Sequence, residues 1–402
     1  MNNFKTLYYY EIKKITTKKS FWITLFLCIA CIFFSTIAPL LGNYYENGTA
    51  TDTNYHKFLV EKEHRLKLSG REINQELLDE MYSAFQKVPW ESEQYTLTKE
   101  YQTYARPYSD IFYLIQSWTG MNDVETRSWS PDEATLYSAL DNKLKHNWES
   151  NLLSEEEKLF WENKDVLINK PFTYIYHCGY DAALESFLTV GFIMLLFIAI
   201  CLSGVFPEEH TRRTDQLVLS SINGKDIMYW VKLCSGVTVS VICAFLMSAI
   251  TLILSLTVYG SEGFNAAFQL FYISYSMPIT MGQAYLIAYG CLIITAAFVS
   301  ILVMLLSETL HSNIAAMSIT SGLIILGMLI QIPSEYRFLS QLWDYLPTSF
   351  LAMWNVFDQR LISVLGNSFT TYQTIPIIYI VCSILASFFG IHIYKKYQIS
   401  GR

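Results

Sequence analysis

The sequence predicts an all-α integral membrane protein with six transmembrane helices, and three observations carry that prediction. Of 402 residues, 52% are apolar and 15% aromatic, while only 16% are charged, against about 25% charged in an average soluble domain. Six runs are free of Asp, Glu, Lys and Arg, at residues 21–41, 186–206, 233–259, 281–307, 309–333 and 372–394. Each reaches or exceeds the ~20 residues that cross about 30 Å of hydrocarbon as a helix. Charge is also segregated: residues 43–180 hold 23 acidic against 14 basic residues, a net of −9, and the remainder carries +2.

Residues 1–19 place Phe4, Leu7, Tyr8, Ile12 and Ile15 at helical spacing, with Lys5, Lys13, Lys14, Lys18 and Lys19 mostly around the other side. That pattern predicts an N-terminal interfacial amphipathic helix, apolar side down and lysines toward anionic lipid. Residues 20–42 form span 1. Its apolar stretch exceeds the 7–15 residues of a signal-peptide core, and no small-x-small cleavage pattern follows, so the expectation is a retained span. The five preceding lysines set the amino terminus inside and the next segment outside.

Residues 43–180 have the size of a small domain and predict a mainly helical extracytoplasmic domain between spans 1 and 2. Phe58, Leu59, Leu66 and Leu68 mark one helix; Ile73, Leu77, Leu78, Met81, Tyr82 and Phe85 mark another. Ser130-Pro131-Asp132-Glu133 and Ser154 followed by Glu155, Glu156 and Glu157 read as helix starts. Trp90, Trp118, Trp129, Trp148 and Trp161 are read as core and bilayer-contact residues rather than a substrate surface. Asn47-Gly48-Thr49 spells a glycosylation acceptor, which we take as coincidental.

Residues 181–402 hold spans 2 to 6. The polar loop 206–232 carries Arg212, Arg213, Lys225 and Lys232 at the ends of two apolar runs, which keeps it inside. Pro207 with Glu208 and Glu209 opens a short helix, and Asn223-Gly224 makes a turn before the next. In span 3, Gly236, Ser240, Ala244 and Ser248 recur every four residues and predict a smooth ridge for close helix packing. The connector 260–280 lacks Lys and Arg, as an outer loop does, and Ser307 to Asn313 is a tight inner turn. An outer region, 334–371, broken by Pro347 and Gly366, predicts re-entrant helices between spans 5 and 6. Lys395 and Lys396 place the carboxyl terminus inside with the amino terminus, giving a multi-pass protein of the cell membrane with both ends cytoplasmic.

Several function classes are absent from the sequence. No GxxxxGK[ST], HExxH or GxSxG occurs, so no nucleotide cradle, zincin site or serine elbow is expected, and no cofactor or metal is assigned to this chain. The seven histidines are scattered. Seven of the eight cysteines lie within or beside the apolar runs as packing residues, and lone Cys178 excludes a disulfide framework in the large loop. The apolar runs themselves hold no charge to relay protons or bind a coupling ion. No basic footprint for nucleic acid is present.

The loop 206–232 resembles the segment after the second span of bacterial ABC-2 type ABC transporter permeases. There, a Glu is followed by a Thr, an apolar run ending in Ser, a turn, a basic residue and a Lys entering the third span. The similar positions are Glu209, Thr214, Leu217 to Leu219, Ser220, Lys225 and Lys232. Arg213 stands where a Gly is common, and Ile222 or Asn223 where a Pro is common. The family also has an interfacial helix before span 1 and re-entrant helices after span 5, where Tyr345-Leu346-Pro347 is similar. The resemblance implies a permease subunit of an exporter moving an amphipathic or hydrophobic substrate (peptide, lipid or drug), driven by Mg-ATP hydrolysis in a separate ABC ATPase. It implies a second permease subunit, identical or homologous. It makes 206–232 the ATPase-coupling loop, with Glu209, Arg212, Arg213, Thr214, Asp215, Lys225 and Lys232 as polar residues and Leu217 and Leu219 as apolar anchors. The alternative from another class is a membrane sensor or immunity protein whose outer domain binds an antimicrobial peptide or lipid.

Overall fold

A backbone inside hydrocarbon must satisfy its own hydrogen bonds, so apolar runs of this length become helices. In the computed structural model, which describes residues 2–46, 49–89, 95–212, 214, 224, 226–273, 275–364 and 366–396, they do. Helix α1 is Asn2–Thr16 and α2 is Lys19–Ile37. The large loop contributes β1 (Asn43–Glu46), β2 (Thr49–Thr53), α3 (Asn54–Leu68), β3 (Arg71–Glu72), α4 (Gln75–Phe85), α5 (Ser109–Thr119), α6 (Asp123–Ser128), α7 (Glu133–Ser150), α8 (Glu155–Asp165) and β4 (Thr173–Tyr174). Then follow α9 (Cys178–Glu185), α10 (Phe187–Leu202), α11 (Pro207–Thr211), α12 (Ile227–Tyr259), α13 (Met281–Leu310) and α14 (Asn313–Leu329). Three short helices, α15 (Arg337–Asp344), α16 (Pro347–Phe350) and α17 (Met353–Val356), and the hairpin of β5 (Ile362–Val364) and β6 (Asn367–Phe369) precede α18 (Thr371–Lys396).

Five segments are long and apolar enough to cross a bilayer: Lys19–Leu40, Phe187–Glu209, Ile227–Tyr259, Met281–Leu310 and Thr371–Lys396. The sixth expected span is shorter. Helix α14 has 17 residues, which rise about 25 Å. It stops because Ile330 turns extended, at φ −88° and ψ 125°. The short helices then fold back onto its end: Trp343 Nε1 donates to the Ile330 carbonyl at 2.9 Å, and Thr348 fills the groove over Gly327, where a Cβ would meet its Oγ1 at 2.2 Å.

The spans pack through small residues and tyrosines. Antiparallel α12 and α13 meet where Gly236 faces Met304, and Tyr285 donates to the Ser248 carbonyl at 2.8 Å. Phe298 of α13 stacks on Tyr379 of α18 at 4.7 Å, and Tyr289 donates to the Ala183 carbonyl of α9 at 2.7 Å. Large apolar side chains left exposed lie along the same helices, among them Phe26, Phe245, Leu329 and Leu385, as a lipid-facing surface requires.

The described residues of 43–180 and 334–370 gather at one end of the bundle, the domain face; α1, α11 and the α13–α14 turn gather at the other, the elbow face. The domain is mostly helical, but its strands were not expected from the sequence. β1 pairs antiparallel with β2, ending at Glu46 opposite Thr49, and β3 pairs with β4. Its core divides. Leu77, Leu78, Phe112, Trp118, Leu136 and Phe172 form a distal cluster. Trp148 and Trp161 instead join the core of the spans. There Trp161 lies 5.1 Å from the Tyr275 ring and donates Nε1–H to the Gln359 carbonyl at 2.7 Å. Glu157 of α8 completes the join: it accepts from Arg337 at 2.5 Å and from the Leu361 N–H at 2.7 Å.

Candidate functional site

The polar elbow between α10 and α12 concentrates more charge than any other part of the bundle described. Pro207 opens α11 because the first helical position needs no N–H donor. Glu208 and Glu209 follow in the first turn, where carboxylates suit the positive end of the helix dipole. Both point back into the molecule. Glu208 pairs with Lys18 at 2.6 Å and Arg212 at 2.7 Å. Glu209 pairs with Lys14 at 3.1 Å and Lys232 at 2.8 Å. The elbow is thereby tied to the end of α1, to the linker before α2 and to the second turn of α12.

Lys232 is the most demanding member, since none of its surface is exposed. Burying an ammonium costs several kcal/mol unless paired. Here Glu209 and the Val205 carbonyl, at 2.9 Å, satisfy it, and its Nζ lies 5.3 Å from the Phe206 ring centre. On Lys14, burial pulls the ammonium's pKa down, and the carboxylates of Glu11 and Glu209 outweigh it, holding the group above its ordinary value. Helix α1 is fixed against α12 as well, by Tyr8 donating to Thr238 Oγ1 at 2.7 Å.

An aromatic trio closes the roots of the loop. Phe206, Tyr229 and Tyr394 have ring centres 5.6 to 5.8 Å apart. Tyr229 donates to the Ser387 carbonyl at 2.8 Å and Tyr394 to the Gly224 carbonyl at 3.2 Å, so α18 grips the point where the chain re-enters the bundle.

These placements revise the sequence reading. Glu209, 9% exposed, was expected to offer a polar contact to another protein, and Lys232 to close the coupling loop as it enters span 3; both face inward and pair with each other. Lys14 and Lys18, expected to face lipid, are engaged by Glu209 and Glu208, whereas Lys5, Lys13 and Lys19 are exposed. Arg212 does face outward, its side chain 69% exposed. Thr214 donates its N–H to the Glu209 carbonyl at 3.0 Å. Arg213, Asp215, Leu217, Leu219 and Lys225 lie outside the described residues, as does Trp90.

The small-residue ridge lies within the chain's own α12–α13 contact. A Cβ on Gly236 would meet Met304 Sδ at 2.4 Å, Ser240 and Ala244 are buried, and Ser240, Ser248 and Thr251 return their hydroxyls to carbonyls four residues back. The expectation that spans hold no buried charge is overturned by Lys232 and by Glu308 in the last turn of α13, 1% exposed. The sequence reading placed Glu308 in the tight inner turn at Ser307 to Asn313. The signal that finds it is helical spacing: Lys232 stands four residues before Gly236, and Glu308 four after Met304, on antiparallel helices in contact. Cys28 and Cys31, spaced as in redox motifs, sit mid-helix in α2 as free thiols, one buried and one exposed. Among the described residues no three His, Cys, Asp or Glu groups gather for a metal ion.

The chain is a mostly helical, multi-pass membrane protein. Compared with known proteins, it matches no family model and no curated protein.

Proposed function

We propose that the chain is the membrane subunit of an ABC-2 type exporter, moving an amphipathic or hydrophobic substrate outward under the drive of a separate ATPase. The observation that carries this reading is the elbow: a short helix between two spans whose paired carboxylates are bolted to α1, to the linker before α2 and to α12. A push delivered to such a helix is passed to three elements at once, because breaking a buried ion pair costs about 3–5 kcal/mol. The resemblance of 206–232 to a coupling loop, and the lack of a nucleotide cradle in the sequence, point the same way. Mg-ATP then belongs to the partner, and a second permease subunit, identical or homologous, completes the path.

In this reading the elbow face is cytoplasmic, with both termini, in the cell membrane. There are six crossings, the sixth made by α14 with the residues that follow Ile330. Glu208 and Glu209 brace the elbow from inside, and outward Arg212, with Arg213, meets the ATPase. Coexpression with a candidate ATPase tests it. Charge reversal at Arg212 and Arg213 abolishes copurification, and unchanged copurification refutes the assignment.

A further inference from the structure

Glu308 stands in a place that disfavours a carboxylate in three ways. It is 1% exposed, neither of its oxygens has a hydrogen-bond partner, and it lies in the last turn of a helix, where the dipole is negative. A group so placed costs stability unless another arrangement of the molecule uses it. Packing identifies that arrangement. Gly236 of α12 meets Met304 of α13, so one turn further toward the elbow on each helix, Lys232 and Glu308 occupy the next rung of the same contact. Glu308 lies within electrostatic reach of both Lys232 and Glu209. Lys232 is occupied by Glu209 and the Val205 carbonyl, and both belong to the elbow.

We propose that Glu308 is a positioning residue: a second carboxylate station for the Lys232 ammonium, vacant while Glu209 holds the lysine and taken up when the elbow withdraws. Without it, pulling Glu209 and Val205 away would strand a fully buried cation, and the elbow would be locked. With it, the lysine exchanges one carboxylate for another inside the bundle, and α12 and α13 draw together as α11 leaves. Tyr394, within reach of both carboxylates, and Tyr229, within reach of Glu308, keep the exchange dry. The use of this exchange in transport rests on the exporter reading; its existence does not, and the test needs no ATPase.

The experiment is a double-mutant cycle on the full chain, purified in neutral detergent and followed by thermal unfolding. Glu209→Gln alone lowers the midpoint only slightly, because Lys232 moves to Glu308. Glu308→Gln alone leaves it unchanged or raises it, because a vacant buried charge is gone. The double variant unfolds well below the midpoint that the sum of the two single shifts gives, since no carboxylate remains for the lysine. Recovery of both single variants with loss of the folded double reads the same way. In a Lys232→Met background the two Gln changes become additive. Additive shifts in the native background, or a large loss from Glu308→Gln alone, overturn the proposal while leaving the copurification test untouched.

Discussion

Replacing Glu157 by Ala removes the junction between α8 and the segment after α14. The side chain is 5% exposed. One oxygen accepts from Arg337 at 2.5 Å and the Leu361 N–H at 2.7 Å, and the other from the Ser154 N–H at 2.8 Å. Truncation leaves two backbone donors unmatched and Arg337 with only the Leu152 carbonyl, at 2.7 Å. Breaking a buried ion pair from one side costs about 3–5 kcal/mol. With an unfolding entropy of about 2.1 cal/mol/K per residue, a loss of about 4 kcal/mol over 402 residues lowers the midpoint by roughly 5 °C. Acid does the same more gently. Burial pushes the Glu157 carboxyl up, but the hydrogen bonds from Arg337, Ser154 and Leu361 outweigh it and hold its pKa below the ordinary value. A depressed folded pKa means stability present above the unfolded value, near 4.3, and lost as pH falls through the folded one. Glu157→Gln therefore flattens the acid limb of a stability–pH curve. Hydrogen exchange of α8 supplies the local readout. A midpoint within about 1 °C of the native protein, with α8 still protected in Glu157→Ala, would refute the reasoning.

Two further outcomes follow from packing. Gly236→Leu forces a side chain into Met304 and costs about 1–3 kcal/mol by overpacking, and Met304→Ala in the same chain restores part of it, read as paired shifts in unfolding midpoint. Trp161→Phe keeps a ring in place but removes the hydrogen bond to the Gln359 carbonyl, costing about 0.5–1.5 kcal/mol, and exposes the loop at 358–361 to faster proteolysis.

The spans were legible because absence of charge over twenty residues is a nearly local property. Five long helical segments follow those runs, and only α14 departs, since its end is set by Trp343 and Thr348 folding back from elsewhere in the chain. Helix starts in the large loop were legible where caps decide them, as at Ser154, whose hydroxyl and Glu157 form a capping box. The first hairpin was missed although Asn47-Gly48, between paired Glu46 and Thr49, is the dipeptide that two-residue hairpins favour. At the elbow, the direction in which the charges point was not legible. Charged groups near a span end read as solvent-facing, and only the approach of α1 to α12 turns Lys14, Glu209 and Lys232 toward one another. Glu308 was hidden for the same reason: a contact between two helices, rather than any neighbour in the chain, seals it from water.

Trp148 and Trp161 have a consequence for how this protein can be rebuilt. Because they complete a core belonging to the membrane part, the large domain is a keystone rather than a hat. Excising residues 55–167 would open a hole beneath it instead of leaving a trimmed bundle. A chimaera that borrows this domain must carry residues 334–370 along, and anything that docks on its far side is mechanically joined to the near ends of the helices.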